Sequence, residues 1–214
     1  MTDIADPNIE AYATEHCSAE PENLQAVAAA TIAEHADAQM MVGRLEGGFL
    51  AMLVHCLRPA LVLEVGTFTG YSALSMAEAL PEGGRIVTCE LDPTHAAAAR
   101  ANISESPFSS RIDLREGPAL ATIASIPAPV DFCFIDADKI SYLDYFEAVL
   151  DKLAPSGLIA ADNTLWSGQV LDPSDISAST EALRHFNDTV AVDPRVKVVM
   201  LTVRDGVTLI RRTG

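Results

Sequence analysis

Apolar runs of five to seven residues recur along the chain, separated by helix-length stretches. LVLEV (61–65), RIVTCE (85–90), RIDLRE (111–116), VDFCFID (130–136) and GLIAAD (157–162) have the length and the apolar or β-branched content of strands. Helix-like segments at 71–80, 93–104, 118–125 and 140–153 lie between them. Such alternation predicts right-handed crossovers and a parallel sheet covered on both faces, an α/β Rossmann-like doubly wound fold. Ahead of the first strand, 22–38 and 45–57 are rich in Ala, Leu and Met with few breakers, which predicts two helices. After the fifth strand come a helix at 177–190 and two apolar runs, VKVVMLTV and VTLIRR, joined around Asp205-Gly206. A short Asp-Gly turn makes those runs a hairpin, so the last strand runs antiparallel to its neighbour. With no repeat and no linker, the chain reads as one domain over 1–214, with 1–57 as an N-terminal helical segment, and Gln169 to Ser179 as a loop near the site.

Residues 131–139, DFCFIDADK, are built for an interior and then finish in Asp136, Asp138 and Lys139. In a doubly wound sheet, ligands bind beyond the carboxyl ends of the strands. Four candidate strands close on acids there: Glu64, Glu90, Asp136 and Asp162. Four acids at one sheet edge predict a single polar site.

The first turn, EVGTFTGYS (64–72), has Gly66 and Gly70 for a tight turn before a helix opens at Tyr71-Ser72. It is not GxGxxG, and no Lys follows Gly70 as a phosphate-binding loop requires, so a dinucleotide pyrophosphate is not the favoured ligand. Glu90 stands 24 positions after Gly66, at the end of the second strand, where an acid accepts hydrogen bonds from ribose hydroxyls; this points to a nucleoside.

Composition narrows the partners. The 214 residues are 49% hydrophobic, enough for a sizeable core, and 30 acidic against 14 basic residues give a formal charge of -16. That charge repels a phosphate backbone, so small molecules are expected in place of DNA, and tRNA is disfavoured. The acidic start lacks a secretory pattern and no run reads as a membrane span, which predicts a cytoplasmic chain without a membrane partner. Cys17, Cys56, Cys89 and Cys133 form no CxxC pair and are expected to be reduced thiols, Cys56, Cys89 and Cys133 being buried within helix-like or strand-like runs. Neither a disulfide framework nor a zinc site is signalled.

With EVGTFTGYS, FIDADK and ADNTLW in this order, the chain resembles the cation-dependent catechol and caffeoyl-CoA type O-methyltransferases, which use S-adenosylmethionine. The likeness runs from about Gln39 to the end, through MMVGRLEGGFL (40–50), GPA (117–119) and DPRVKVVMLTVRDGVTLIRR (193–212). It implies a seven-stranded sheet with an antiparallel last strand and a homodimer. It also implies that Val42, Glu64, Gly66, Thr67, Ser72, Glu90, Ala119, Asp136 and Asp138 surround S-adenosylmethionine. Asp136, Asp162 and Asn163 would hold a divalent metal, and Lys139 matches the family's catalytic base. Gly48 stands where many relatives carry Gln, and Ser167 where some plant members carry a substrate-contacting Asn. Both departures bear on the substrate, not the reaction.

These residue types suit that chemistry. Two carboxylates and an amide are hard oxygen donors suited to Mg2+, with Mn2+ or Ca2+ as substitutes, and roughly six-fold coordination leaves room for two vicinal hydroxyls and a water. A Lewis acid stabilises the phenolate of a catechol-like acceptor while Lys139 removes the proton. Trp166, directly after the ligand pair, is expected to form a wall for a flat ring beside Ser167, and Phe68, Tyr71 or Tyr145 to touch the sulfonium. Two other readings stand beside this one: methylation of hydroxylated tRNA uridines, as some relatives perform, and a module that binds an adenosine ligand without catalysis.

Overall fold

A computed structural model describes residues 4–127 and 129–214. Its centre is a seven-stranded sheet in the order β3-β2-β1-β4-β5-β7-β6. The strands are β1 (Leu61–Val65), β2 (Arg85–Glu90), β3 (Ile112–Glu116), β4 (Val130–Ile135), β5 (Leu153–Ala161), β6 (Val196–Leu201) and β7 (Val207–Arg212). The first five pair in parallel; β7 lies antiparallel between β5 and β6. The expected antiparallel last strand is therefore present, although the connection from Leu201 to Val207 is a longer loop than a two-residue Asp-Gly turn.

Eight α-helices flank the sheet among the described residues: α1 (Pro7–Glu15), α2 (Glu22–Glu34), α3 (Gly43–Leu57), α4 (Tyr71–Glu78), α5 (Pro93–Glu105), α6 (Ala119–Ser125), α7 (Tyr142–Leu150) and α8 (Ala178–Val192). Alternation along the strands divides the core in two. Leu61, Leu63, Val65, Cys133 and Ile135 point to the face covered by α6, α7 and α8, while Val62, Ile86, Phe132 and Phe134 point to the face covered by α2 to α5. Both faces are apolar because both are covered, as a parallel sheet requires.

Several boundaries differ from the sequence reading. Helix α2 stops at Glu34, α7 begins at Tyr142 after a 3-10 turn at Lys139–Ser141, and β5 begins at Leu153. Helix α1 went unread: it buries no side chain and so carries no apolar stripe, although Asp6 caps it and Pro7 opens it. Another 3-10 turn, Trp166–Leu171, occupies part of the expected loop. Cys56 is exposed, not buried, whereas Cys89 and Cys133 are interior. Residues Ala38–Leu57 do have the length and apolarity of a membrane span, contrary to expectation. They fold as a short 3-10 turn followed by α3, with Glu46, Leu50 and Val54 buried against the domain.

Candidate active site

Strand order reverses between β1 and β4, and the two strand ends meet there. Gly66 has φ +98°, and a Cβ on it would lie 1.9 Å from the Asp136 carbonyl oxygen, so no other residue fits this crossing. The ladder then continues sideways: the Asp136 N–H donates to the Val65 carbonyl at 2.8 Å, and the Asp162 N–H to the Ile135 carbonyl at 2.9 Å. Asp136 and Asp162 thus leave the sheet side by side.

Lys139 turns back over them. Asp138 caps the 3-10 turn through the Ser141 N–H at 3.2 Å, which aims Lys139 inward, where it is only 8% exposed. Its Nζ donates to Asp136 Oδ1 at 3.0 Å and to Tyr142 Oη at 2.6 Å, and Tyr142 Oη in turn donates to the Asp162 carbonyl at 3.0 Å. Tyr142 is fully buried and meets Phe186 edge-on, so this tether is rigid. The Trp166 ring lies 5.8 Å from Lys139 Nζ and packs, partly buried, against the edge of the core.

Asp162 is 3% exposed, and its Oδ1 has no hydrogen-bond donor. Burial, then the charge of Asp136, push its carboxyl up to about 7, against the pull of Lys139. Asn163, Trp166 and Ser167 follow at φ 55°, 49° and 50°, a left-handed coil in which only Asn is at ease. Asp205 holds this coil in shape: its side chain accepts from the Ser167 N–H, while its carbonyl takes the Leu165 N–H at 3.0 Å. Sequence reading took Asp205 only as a turn residue.

Glu46, on the first turn of α3, also went unread. It is 1% exposed and lies beside Asp162, and burial, then the charges of Asp162 and Asp136, push its carboxyl well above the usual carboxylate range. Nothing in LEGGFL distinguishes it from an ordinary surface helix residue. Gly48, close by, has open space where a side chain would stand.

Among the described residues no three His, Cys, Asp or Glu side chains have metal-ligand spacing. A hard divalent cation here would have to draw on the two carboxylates with the Asn163 amide, and the buried Oδ1 of Asp162, which has no hydrogen-bond partner, is an atom that such a cation would fit.

Across Gly66 lies a second cluster. Glu64 is fully buried inside β1; its Oε2 accepts from Thr88 Oγ1 at 2.5 Å, and its Oε1 has no donor. Burial pushes this carboxyl up to about 8, with hydrogen bonds from Ser72 and Thr88 opposing. Glu90 accepts from the N–H groups of Thr67 (3.2 Å), Phe68 (2.7 Å) and Asp92 (2.9 Å), so it fixes the glycine turn and keeps about one of its four lone-pair positions for a ligand. Val42 caps α3, buried; Ala119 opens α6, half-buried. The four strand-end acids thus lie on either side of Gly66, and the charges of Asp136 and Glu90 both act on Glu64. Of the three aromatics expected near a sulfonium, Tyr145 donates to Asp138 and buried Tyr71 to Glu20, while Phe68, edge-on to His95, stays half-exposed.

Glu64 carries a stability prediction. The folded protein holds a proton there up to about pH 8, whereas the unfolded chain releases it near 4.5. Folding stability from this group therefore falls as pH rises between those values. Without ligand, Glu64→Gln should melt at least about 3 °C above wild type at pH 8, the gap closing below pH 4.5. Thermal melts across pH measure this; parallel curves would contradict it.

Comparison with known proteins agrees with this geometry. Residues 14–213 match the O-methyltransferase family. Caffeoyl-CoA O-methyltransferase 2 of Eucalyptus globulus is 36% identical over 208 residues, covering 91% of this chain and 83% of the relative. The Zea mays enzyme of the same name is 38% identical over 205 residues, covering 90% and 77%. Among solved structures, an SAH-bound methyltransferase of Podospora anserina superposes with a TM-score of 0.90 at 31% identity, covering 97% of this chain and 94% of that one. The O-methyltransferase of Bacillus cereus in complex with SAH gives 0.89 at 31%, covering 96% and 97%. A Rossmann-like sheet with its donor cluster at the switch point, matched over nearly its whole length, places this chain in the cation-dependent O-methyltransferase family as an S-adenosylmethionine-dependent O-methyltransferase.

Proposed function

We propose that the chain transfers the methyl group of S-adenosylmethionine to one hydroxyl of a catechol-like small molecule with the help of a divalent cation. The observation that carries this reading is the buried, donor-free Oδ1 of Asp162 beside Asp136 and Lys139. Asp136, Asp162 and Asn163 would hold Mg2+, with Mn2+ or Ca2+ as substitutes. A cation there supplies Lewis-acid stabilisation of negative charge on a phenol oxygen. Lys139 Nζ, fixed by Asp136 Oδ1 and Tyr142 Oη, is the group placed to receive the hydroxyl proton. Trp166 offers a flat face for the acceptor ring, beside Ser167. On the other side of Gly66, Glu64, Thr67, Ser72 and Glu90 hold the donor. Charge on sulfonium and phenolate disappears as they react, so buried walls that exclude water favour the transition state.

The test is methyl transfer from labelled S-adenosylmethionine to a panel of catechols, caffeoyl-CoA and bulk tRNA, with and without chelator. Catechol methylation that chelation abolishes and Mg2+ restores is expected. Chelator-indifferent transfer, or transfer to tRNA alone with a steep salt dependence, would overturn the reading.

A further inference from the structure

We propose that Glu46, clamped by Arg204, is a positioning residue of the cation centre: it acts through Asp162, holding that carboxylate in the orientation the cation needs. This rests on the cation reading above. The sheet supplies Asp136 and Asp162, and Glu46 comes up beside Asp162 from α3. Glu46 Oε2 pairs with Arg204 Nε at 3.4 Å, and its Oε1 is buried without a donor, as is Asp162 Oδ1. Two carboxyl groups side by side, both out of water, are unfavourable unless a proton or a cation lies between them or beside them.

The surrounding backbone is built to keep this arrangement. At Gly47 a Cβ would fall 2.7 Å from Ser75 Oγ and 2.9 Å from the Tyr71 ring, so α3 is seated against α4 too closely for any side chain there, and Glu46 cannot drift. Arg204 sits at φ 46°, a left-handed conformation costly for a non-glycine residue, and that conformation directs its guanidinium across Gly43 to Glu46. The same guanidinium reaches Glu10 of α1 at 3.8 Å, so the N-terminal helices and the β6–β7 loop converge behind Asp162. A charged cluster serving packing alone gains little over apolar residues of equal volume.

Mn2+ binding, followed by the loss of the free-ion electron paramagnetic resonance signal, separates this role from a structural one. Glu46→Ala should weaken Mn2+ binding by about 10- to 100-fold, the usual cost of losing a group that orients a ligand. Glu46→Gln keeps the shape and a polar group beside Asp162 and should stay within about threefold of wild type. SAH affinity, measured by calorimetry, should not change in either variant, since the Glu46 side chain pairs with Arg204 and lies beside Asp162, while Glu64 and Glu90 are held by other partners. Glu46→Leu, which keeps the volume, replaces the alanine variant if the latter is unfolded, with the same loss expected. Wild-type Mn2+ affinity in the alanine or leucine variant overturns the inference. So does a loss in Glu46→Gln equal to that in Glu46→Ala, because the charge itself would then be what the cation needs. A wild-type chain that binds no Mn2+ overturns the cation reading as well.

Discussion

Replacing Lys139 with alanine should lower turnover by about two to four powers of ten, the range that a positioned acid–base group contributes. Affinity for S-adenosylmethionine should stay near wild type, because Glu64 and Glu90 are held by Thr88 and by backbone N–H groups independently of Nζ, whose one hydrogen bond to a donor-side residue goes to Asp136. Lys139→Arg separates proton acceptance from charge: a guanidinium keeps the positive charge beside Asp136 but does not give up its proton, so this variant should be nearly as slow as alanine. Single-turnover kinetics with calorimetry of the donor measure both quantities. Unchanged turnover in either variant removes Lys139 from the chemistry and leaves it an ion-pair partner of Asp136.

Asp162→Asn should lower activity by about three powers of ten, since a Lewis acid contributes several kcal/mol to stabilising the developing charge. The fold should not suffer. Asp162 is a buried carboxyl pushed up by burial and by Asp136, so an isosteric neutral amide relieves repulsion. The cation then supplies a second readout. At 100 times its dissociation constant it stabilises wild type by about 2.7 kcal/mol, roughly 5–10 °C in melting temperature for a chain of this size. The variant should lose that increment while melting no lower than wild type in chelator. Full activity, or an undiminished cation-induced shift, would remove Asp162 from the ligand set.

Sequence made the sheet legible because its strands are bounded by strong punctuation. β1 and β2 fall where their apolar runs do, between Pro-containing or glycine-containing turns, and β4 differs by one residue. The start of β5 was hidden by Pro155, Ser156 and Gly157, which read as a loop, and β4 pairs with β5 through a register shift between Val130 and Phe132. Helix α1 was hidden for a different reason: none of its side chains is fully buried, so it carries no apolar stripe. The site divided in the same way. The placement of Asp136 and Asp162 at one sheet edge was readable because each directly follows an apolar strand, whereas the roles of Lys139 and Asn163 came from the family resemblance. Glu46, Tyr142, Arg204 and Asp205 were not readable, because their roles arise from tertiary approach: a carboxyl of α3 against a strand end, a hydroxyl under a lysine, and a loop between β6 and β7 that reaches back to residues 163–167. Glu90 shows the converse. Its place at a strand end was correct, but how far backbone N–H groups already occupy its oxygens is visible only in three dimensions.

Catalysis as proposed requires a divalent cation held between two strand ends, next to the methyl donor. Crystals grown with SAH and Mn2+, measured for anomalous scattering at the manganese edge, test this most directly. The account predicts one strong peak with oxygens of Asp136, Asp162 and Asn163 at ligand distance, roughly 2.0–2.6 Å, beside SAH seated against Glu64 and Glu90. SAH bound with no peak at those three side chains, or with manganese held elsewhere, would contradict it.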